Sequence, residues 1–252
     1  MTVIDERLPA LEKLVLAHGG HSSWEKGACI MEAVAYVAGE PFSDHPKCAS
    51  NVITSFLISW NDALSDDDRQ MLKPLVPRVV GTRTTAADET TRAWMATDWL
   101  AGEFAPAFLR LAGLIEHAEK LEQLGALTNS RDAESAQPTL DGARRAGAAA
   151  RAAAGDAARA AAGAAAGAAA WDAARVAAWD AAWDAAGAAA DKVKSDGGDY
   201  YAQYNAAYVV AKEIFAKEPL PESFVETTKA LQKSAYLLVE RMIEVGREPV
   251  AA

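Results

Sequence analysis

The amino-acid sequence predicts an all-α protein, and three features support that prediction. Apolar residues recur at three- and four-residue spacing, which is typical of amphipathic helices. Glycine, proline and short polar residues lie where helices would start and stop. One long segment consists mainly of alanine, the strongest helix former. We find no run in which apolar and polar residues alternate as they do in a strand.

Residues 1–127 are predicted to form an N-terminal helical domain. Apolar spacing marks a first helix that ends before Gly19-Gly20, and its residues are Ile4, Leu8, Leu11 and Val15. Further helices are expected over 25–39 and over 46–64, and Ser65 is expected to cap the start of the next one. Three more are expected from Thr85 to about Ala101, around Pro106, and over 114–127. Thr85 with Asp88 has the spacing of a capping box, in which each residue bonds the other's backbone.

The rest of the chain divides into three predicted parts. Residues 128–142 are polar and contain Pro138, so we expect a linker there. Residues 143–194 form the Ala-rich segment. A C-terminal helical pair is expected within 200–246, with one helix from Tyr200 to about Lys217 and another from Glu222 to about Val245. Gly246 then caps the last helix.

The Ala-rich segment contains a strict four-residue repeat from Gly147 to Asp191. Its first position is Gly, Arg or Trp until the closing Asp191, and up to that residue its third and fourth positions are Ala. Because a helix turns about 100° per residue, each repeat advances about 40° around the axis. The rings and the guanidinium of the second half then lie on one broad face: Trp171, Arg175, Trp179 and Trp183. We expect a slim helix, either one long rod or a hairpin, that binds a protein partner or a second copy of the chain.

Composition excludes several classes of partner. The 252 residues carry a formal net charge of −10, and only Arg144-Arg145 are adjacent basic residues, so neither nucleic acid nor an anionic membrane is expected. No run of 18 apolar residues is free of charge, which argues against a membrane span. No secretory signal opens the sequence, so a cytoplasmic location is expected. In a reducing compartment the two cysteines would be thiols or metal ligands.

The segment from His18 to Cys48 contains three of the four histidines and both cysteines. Two Cys and two His can close a tetrahedral zinc site. The candidate ligands are His21, Cys29, His45 and Cys48, with His18 as an alternative to His21. The competing interpretation is that both cysteines are small core residues and the histidines belong to loops.

A catalytic interpretation uses the same segment. A cysteine at a helix N-terminus has a lowered pKa, and Cys29 is predicted to lie at such a position. His45 would be its base, oriented by Asp44 or Glu32. Alternatively, Glu32, Glu40 and Asp44 could bind a divalent ion, although solvated or capping carboxylates are the simpler expectation.

Three blocks of sequence, followed by the Ala-rich tail, resemble a group of hypothetical proteins from actinobacteria and their phages. The blocks are GACIMEAVAYVAGEPFSDHP from Gly27, WND from Trp60 and RAWMATDWL from Arg92. The resemblance covers roughly residues 20–190. It implies a cytoplasmic accessory role, such as modulating the host or opposing its defences, and it assigns no catalytic residue.

Together these observations predict a non-enzymatic helical interaction or assembly protein, with zinc as the one cofactor to consider. The first alternative is an enzyme centred on Cys29 and His45 with nearby carboxylates or a catalytic metal. The second is a protein that sequesters a small ligand, which would require an apolar pocket with convergent polar groups.

Overall fold

The structure is a computed structural model that describes residues 2–163 and 222–247. The described residues are helical and contain no strand, which confirms the all-α prediction. The chain divides into two compact units. Unit 1 consists of Met1–Leu100, Gly125–Ala133 and Ala230–Ala252, and unit 2 consists of Ala101–Leu124 and Glu134–Lys229. Unit 1 is therefore built from three separate pieces of chain.

Five α-helices in the first piece of unit 1 define its framework. They are α1 (Leu8–Lys13), α2 (Ile30–Ala38), α3 (Asn51–Ala63), α4 (Val76–Val79) and α5 (Ala86–Trp99). Three short 3₁₀ helices join them, at Asp5–Arg7, Trp24–Lys26 and Asp68–Leu75. The order agrees with the prediction, but α2 and α3 each begin five residues later than expected, at Ile30 rather than 25 and at Asn51 rather than 46.

Local caps explain where these helices begin and end. Ser50 precedes α3, and its hydroxyl accepts a hydrogen bond from the backbone N–H of Ile53. Thr85 and Asp88 form the predicted capping box at the start of α5. Gly39 ends α2 with φ of +74°, a left-handed conformation that glycine adopts without strain.

The core of unit 1 surrounds α2, whose residues are buried on nearly every side. Apolar side chains from α3, α4 and the preceding 3₁₀ helix pack against it, among them Ile53, Leu57, Leu72 and Val76. The C-terminal helix α9 (Glu222–Glu244) supplies the remaining wall, with Leu238, Val239, Met242 and Ile243 all fully buried. The C-terminal end of the chain thus belongs to the same core as the N-terminal domain, from which the predicted boundaries had separated it.

Two buried arginines cap helix C-termini inside unit 1. Arg69 donates from Nε to the Asn61 carbonyl and from Nη2 to the Leu64 carbonyl, each at 2.7 Å, at the end of α3. Arg92 donates to two carbonyls at the end of α9, those of Met242 at 2.9 Å and Val245 at 2.6 Å. Cations at these ends satisfy orphan carbonyls and complement the negative end of the helix dipole.

Unit 2 contains a short helical hairpin and a long helix. The hairpin is α6 (Ala105–Leu111) and α7 (Ile115–Glu122), and a two-pronged Arg110–Glu122 ion pair joins the two helices. The long helix α8 (Ser130–Gly163) has 34 residues and starts within unit 1. Asn129 caps it by accepting the backbone N–H groups of Arg131 and Asp132.

Most of the predicted linker 128–142 is therefore helical, and α8 continues without interruption into the Ala-rich repeat. The polar composition reflects a helix that exposes many of its side chains in this stretch. Residues 164–221 lie outside the described part of the chain, as do the expected helix from Tyr200 to Lys217 and the choice between rod and hairpin. Among the described helices, none is both long and apolar enough to cross a bilayer.

Candidate functional site

The loop from Leu16 to His21 is held against the start of α2 and the end of α3. Ala17 donates its N–H to the Ala28 carbonyl at 2.9 Å, next to an isolated bridge between Leu16 and Ala28. The Gln70 amide bonds both the N–H and the carbonyl of Leu16, at 2.9 and 3.0 Å. It satisfies the backbone of Leu16 as a neighbouring strand would.

The Glu32 carboxylate is the centre of this site, and its residue is only 2% exposed. One oxygen accepts the backbone N–H of His21 at 2.6 Å. The other accepts the backbone N–H of Cys29 at 2.8 Å and lies 2.9 Å from Nδ1 of His21. Three donors around one buried carboxylate compensate for its lost hydration. Glu32 thereby completes a capping box at α2 with Cys29 as the N-cap residue.

The contact with Glu32 also orients the His21 ring. Since an ionised carboxylate only accepts hydrogen bonds, Nδ1 is the ring nitrogen of His21 that donates to Glu32. The ring packs against Gly27, whose φ is +119°. A Cβ at Gly27 would lie 2.8 Å from the His21 ring, so glycine is required for this packing as well as for its backbone conformation.

His18 lies among charged groups of three elements. Burial lowers the pKa of His18, and Arg69 and His21 lower it further, while Asp62 and Asp66 oppose the shift. Asp62 also accepts the backbone N–H of Gly19 at 2.9 Å, which ties the loop to α3. Burial therefore favours the neutral form of His18.

Cys29 is 3% exposed, and burial raises the pKa of its thiol well above the ordinary range. The nearby Glu32 carboxylate raises that pKa further. This is opposite to the lowering expected at a helix N-terminus: the backbone N–H groups of Met31 and Glu32 do lower the pKa of the thiol, but burial and the Glu32 carboxylate outweigh them. Cys48 is also buried, and burial together with Glu40 raises its pKa to about 11.

His45 lies on an exposed turn, where its Nδ1 is 2.8 Å from an Asp44 oxygen. Its side chain is 67% exposed. In the part of the chain that the structure describes, no hydrogen bond joins His45 to Cys29. The structure therefore brings His21, Cys29 and Glu32 together, and it brings His45 and Asp44 together as a separate pair.

A metal ion would need at least three suitable ligands in one place. Within residues 2–163 and 222–247, no group of three or more His, Cys, Asp or Glu side chains has such an arrangement. The zinc site over His21, Cys29, His45 and Cys48 therefore stays a prediction. The predicted interaction residues of the repeat lie outside the described residues: Trp171, Arg175, Trp179 and Trp183.

A second surface feature is an open groove of about 280 Å³ along α5 in unit 1. Trp94, Met95 and Leu127 supply its apolar lining, and Asp98 and threonine hydroxyls its polar lining. One Asp98 oxygen accepts the backbone N–H of Leu127 at 2.8 Å. The groove lies just below the size of ordinary small-molecule sites, which begin at about 300 Å³.

The candidate site lies within the segment that was singled out from the sequence, but part of its organisation was not predicted. Asn61 and Gln70 were not expected to bind the loop, although Asn61 donates to the Ala17 carbonyl at 3.0 Å and accepts the N–H of Ile30. The one available signal was the Cys29-x-x-Glu32 spacing, which matches a capping box apart from its unusual first residue. Comparison with protein-family models, curated proteins and solved structures finds no match to this chain.

Proposed function

We propose that the chain is a non-enzymatic helical interaction protein that assembles through its Ala-rich helix, with itself or with another protein. The observation that carries the proposal is α8, which is continuous over 34 residues. At about 1.5 Å per residue such a helix is about 51 Å long. The average helix of a globular protein has about 11–12 residues, so α8 is far longer than packing into a small core requires.

The exposed and buried positions of α8 support this role. Ala136 and Ala143 are 2% and 7% exposed and lie seven residues apart, so α8 already packs through small residues within its own chain. Small side chains allow the axes of two helices to approach closely. The repeat continues this composition beyond Gly147 and then adds tryptophans, the residues that most often anchor interfaces.

The chemistry of the His18–Cys48 segment supports a structural role for that segment. Its buried carboxylate binds backbone N–H groups of the loop and of α2. Both thiols have raised pKa values, which disfavours the thiolate that nucleophilic catalysis uses. The proposal does not require zinc. The accessory role in actinobacteria or their phages is part of the same proposal and rests on sequence resemblance.

The test is the mass of the assembly in solution, measured by light scattering during size-exclusion chromatography. Replacing Trp171, Trp179 and Trp183 together by alanine is expected to reduce the assembly to single chains. The matched control is Trp94→Ala, which removes a tryptophan from the α5 groove and should leave the mass unchanged. A thermal melt of each variant shows whether the loss of assembly is separate from a loss of folding.

A monomeric wild-type chain can arise in two ways, and quenching of tryptophan fluorescence distinguishes them. The fluorescence that the triple variant loses comes from Trp171, Trp179 and Trp183. If iodide quenches that fluorescence in the wild-type chain, these rings are available to another protein. If that signal is shielded and the triple variant melts far below the wild type, the rings pack inside one chain. The second result would overturn the proposal.

A further inference from the structure

The C-terminal helix is joined to the rest of unit 1 only through a long insertion. Unit 1 includes the chain up to Leu100 and residues 125–133, and it resumes at Ala230. Residues 134–229 lie in unit 2, and so does the hairpin 101–124. Since each unit has its own internal contacts, the way α9 binds unit 1 can be considered without the insertion.

The apolar contacts of α9 follow a single stripe. Its buried residues in unit 1 are Ala235, Leu238, Val239, Met242 and Ile243, each at most 3% exposed. These positions are i, i+3, i+4, i+7 and i+8, the pattern of a helix that lays one face in an apolar groove. The stripe belongs to the same core cluster as α2 and the helices around it.

Polar contacts accompany this stripe along its length. The Trp99 indole N–H donates to the Ser234 hydroxyl at 2.8 Å. Arg78 forms an ion pair with Glu240 and lies 3.5 Å from Glu244. The partners that α9 uses for these contacts come from the piece of chain before Leu100.

Polar contacts also fix the end of α9. Arg92 donates to the carbonyls of Met242 and Val245, and its third donor group binds Glu89 at 2.8 Å. Arg247, which follows α9, donates to the Arg78 carbonyl at 2.5 Å. Position, direction and register of α9 from Ala230 onward are therefore specified by non-covalent contacts within unit 1.

We propose that α9 is a separable helical ligand of unit 1, so that the chain can be cut within the insertion while unit 1 stays whole. The insertion would then be a segment that proteolysis can open while unit 1 keeps its fold. This inference does not rest on the proposed function.

The experiment places a recognition site for a specific protease between Gly197 and Gly198 of the full chain and cuts it under native conditions. Hydrogen exchange measured by mass spectrometry is expected to show the same protection for amides 235–243 before and after cutting. The two fragments should elute together, and their melting temperature should now rise with concentration, because folding has become a binding reaction. Loss of amide protection on cutting would overturn the proposal.

Variants show whether α9 itself holds the fragments together. In the cut protein, Arg92→Ala is expected to weaken fragment binding at least about tenfold, the effect of about 1.4 kcal/mol. Arg83→Ala is the matched control, since Arg83 makes one exposed hydrogen bond to Asn51, and it should leave binding unchanged. If the Arg92 variant does not fold, Leu238→Ala provides the same test through the apolar stripe. If the fragments bind equally well when the α9 contacts are weakened, they are held together through unit 2. That result would overturn the assignment of α9 as the ligand of unit 1.

Discussion

Replacing Glu32 by glutamine tests whether this carboxylate organises the His18–Cys48 segment. The substitution keeps the size of the side chain but removes its charge and one acceptor oxygen. An amide NH₂ must then face at least one of the donors His21 N–H, Cys29 N–H and His21 Nδ1–H. Hydrogen bonds to a charged group contribute about 1.5–3 kcal/mol each, and a buried donor without a partner costs about 1–3 kcal/mol.

With one bond lost and two weakened, we expect Glu32→Gln to lower the free energy of unfolding by about 3 kcal/mol. Urea denaturation followed by circular dichroism measures this difference. Glu25→Gln is the matched control, because Glu25 lies in the same segment and is fully exposed, and it should lower stability far less than Glu32→Gln does.

A double-mutant cycle separates the His21 contact from the cap. Glu32→Gln and His21→Ala together are expected to cost less than the sum of the two single changes, with a coupling of about 1 kcal/mol or more. Additive effects would show that the ring does not interact with the carboxylate. A Glu32→Gln variant as stable as wild type would refute the reasoning that this carboxylate holds the loop and α2 together.

Three further predictions address the histidines, the thiols and the buried arginine. The pKa of His18 is lowered in the folded protein from its ordinary value of 6.5, so the unfolded chain binds more protons and stability should fall as the pH drops below about 6.5. His18→Gln should flatten that part of a stability-against-pH curve measured by denaturation, and an unchanged curve would contradict the shift. Both Cys29 and Cys48 should react slowly with a disulfide reagent at pH 8 in the native protein and rapidly in denaturant, and fast reaction of either native thiol would contradict the raised pKa values. Metal content measured by mass spectrometry, with thiol rates before and after chelation, tests the predicted zinc site, which one zinc per chain masking both thiols would establish. Arg92→Ala should destabilise unit 1 by about 3–5 kcal/mol in the same denaturation assay, since it leaves buried carbonyls and Glu89 without their cation. A loss of stability no larger than that of Arg83→Ala would show that this cap contributes little.

Helix type and order were readable from the sequence because they depend on local physics. The α5 capping box needs only Thr85 and Asp88 three residues apart, and the last helix ends at Glu244, next to its predicted end at about Val245 and the predicted cap at Gly246. The late start of α2 was harder to predict, because Cys29 is a rare N-cap and its partner Glu32 also binds His21 from outside the helix. The 128–142 segment was misleading for a related reason, since its polar composition suits an exposed helix as well as a linker.

The candidate site shows where local reasoning ends. The sequence placed His21, Cys29 and Glu32 in one segment, but their common centre depends on a loop that folds back over α2. Asn61 and Gln70 bind that loop from positions more than 40 residues away along the chain. The opposite direction of the Cys29 pKa shift likewise follows from burial and from the neighbouring carboxylate. Both are properties of packing and have no signature in residue spacing.

By itself, the sequence determined the all-α class, most helix positions and the repeating Ala-rich segment, because alanine content, caps and apolar spacing act within a few turns of chain. Only the tertiary structure decided that α9 completes the N-terminal core and that buried Arg92 donates hydrogen bonds to the carbonyls at the end of α9. It also decided that the His18–Cys48 segment is organised around Glu32. These arrangements join residues as far as about 150 positions apart, where the burial of an apolar stripe and the need to satisfy buried polar groups select the partners.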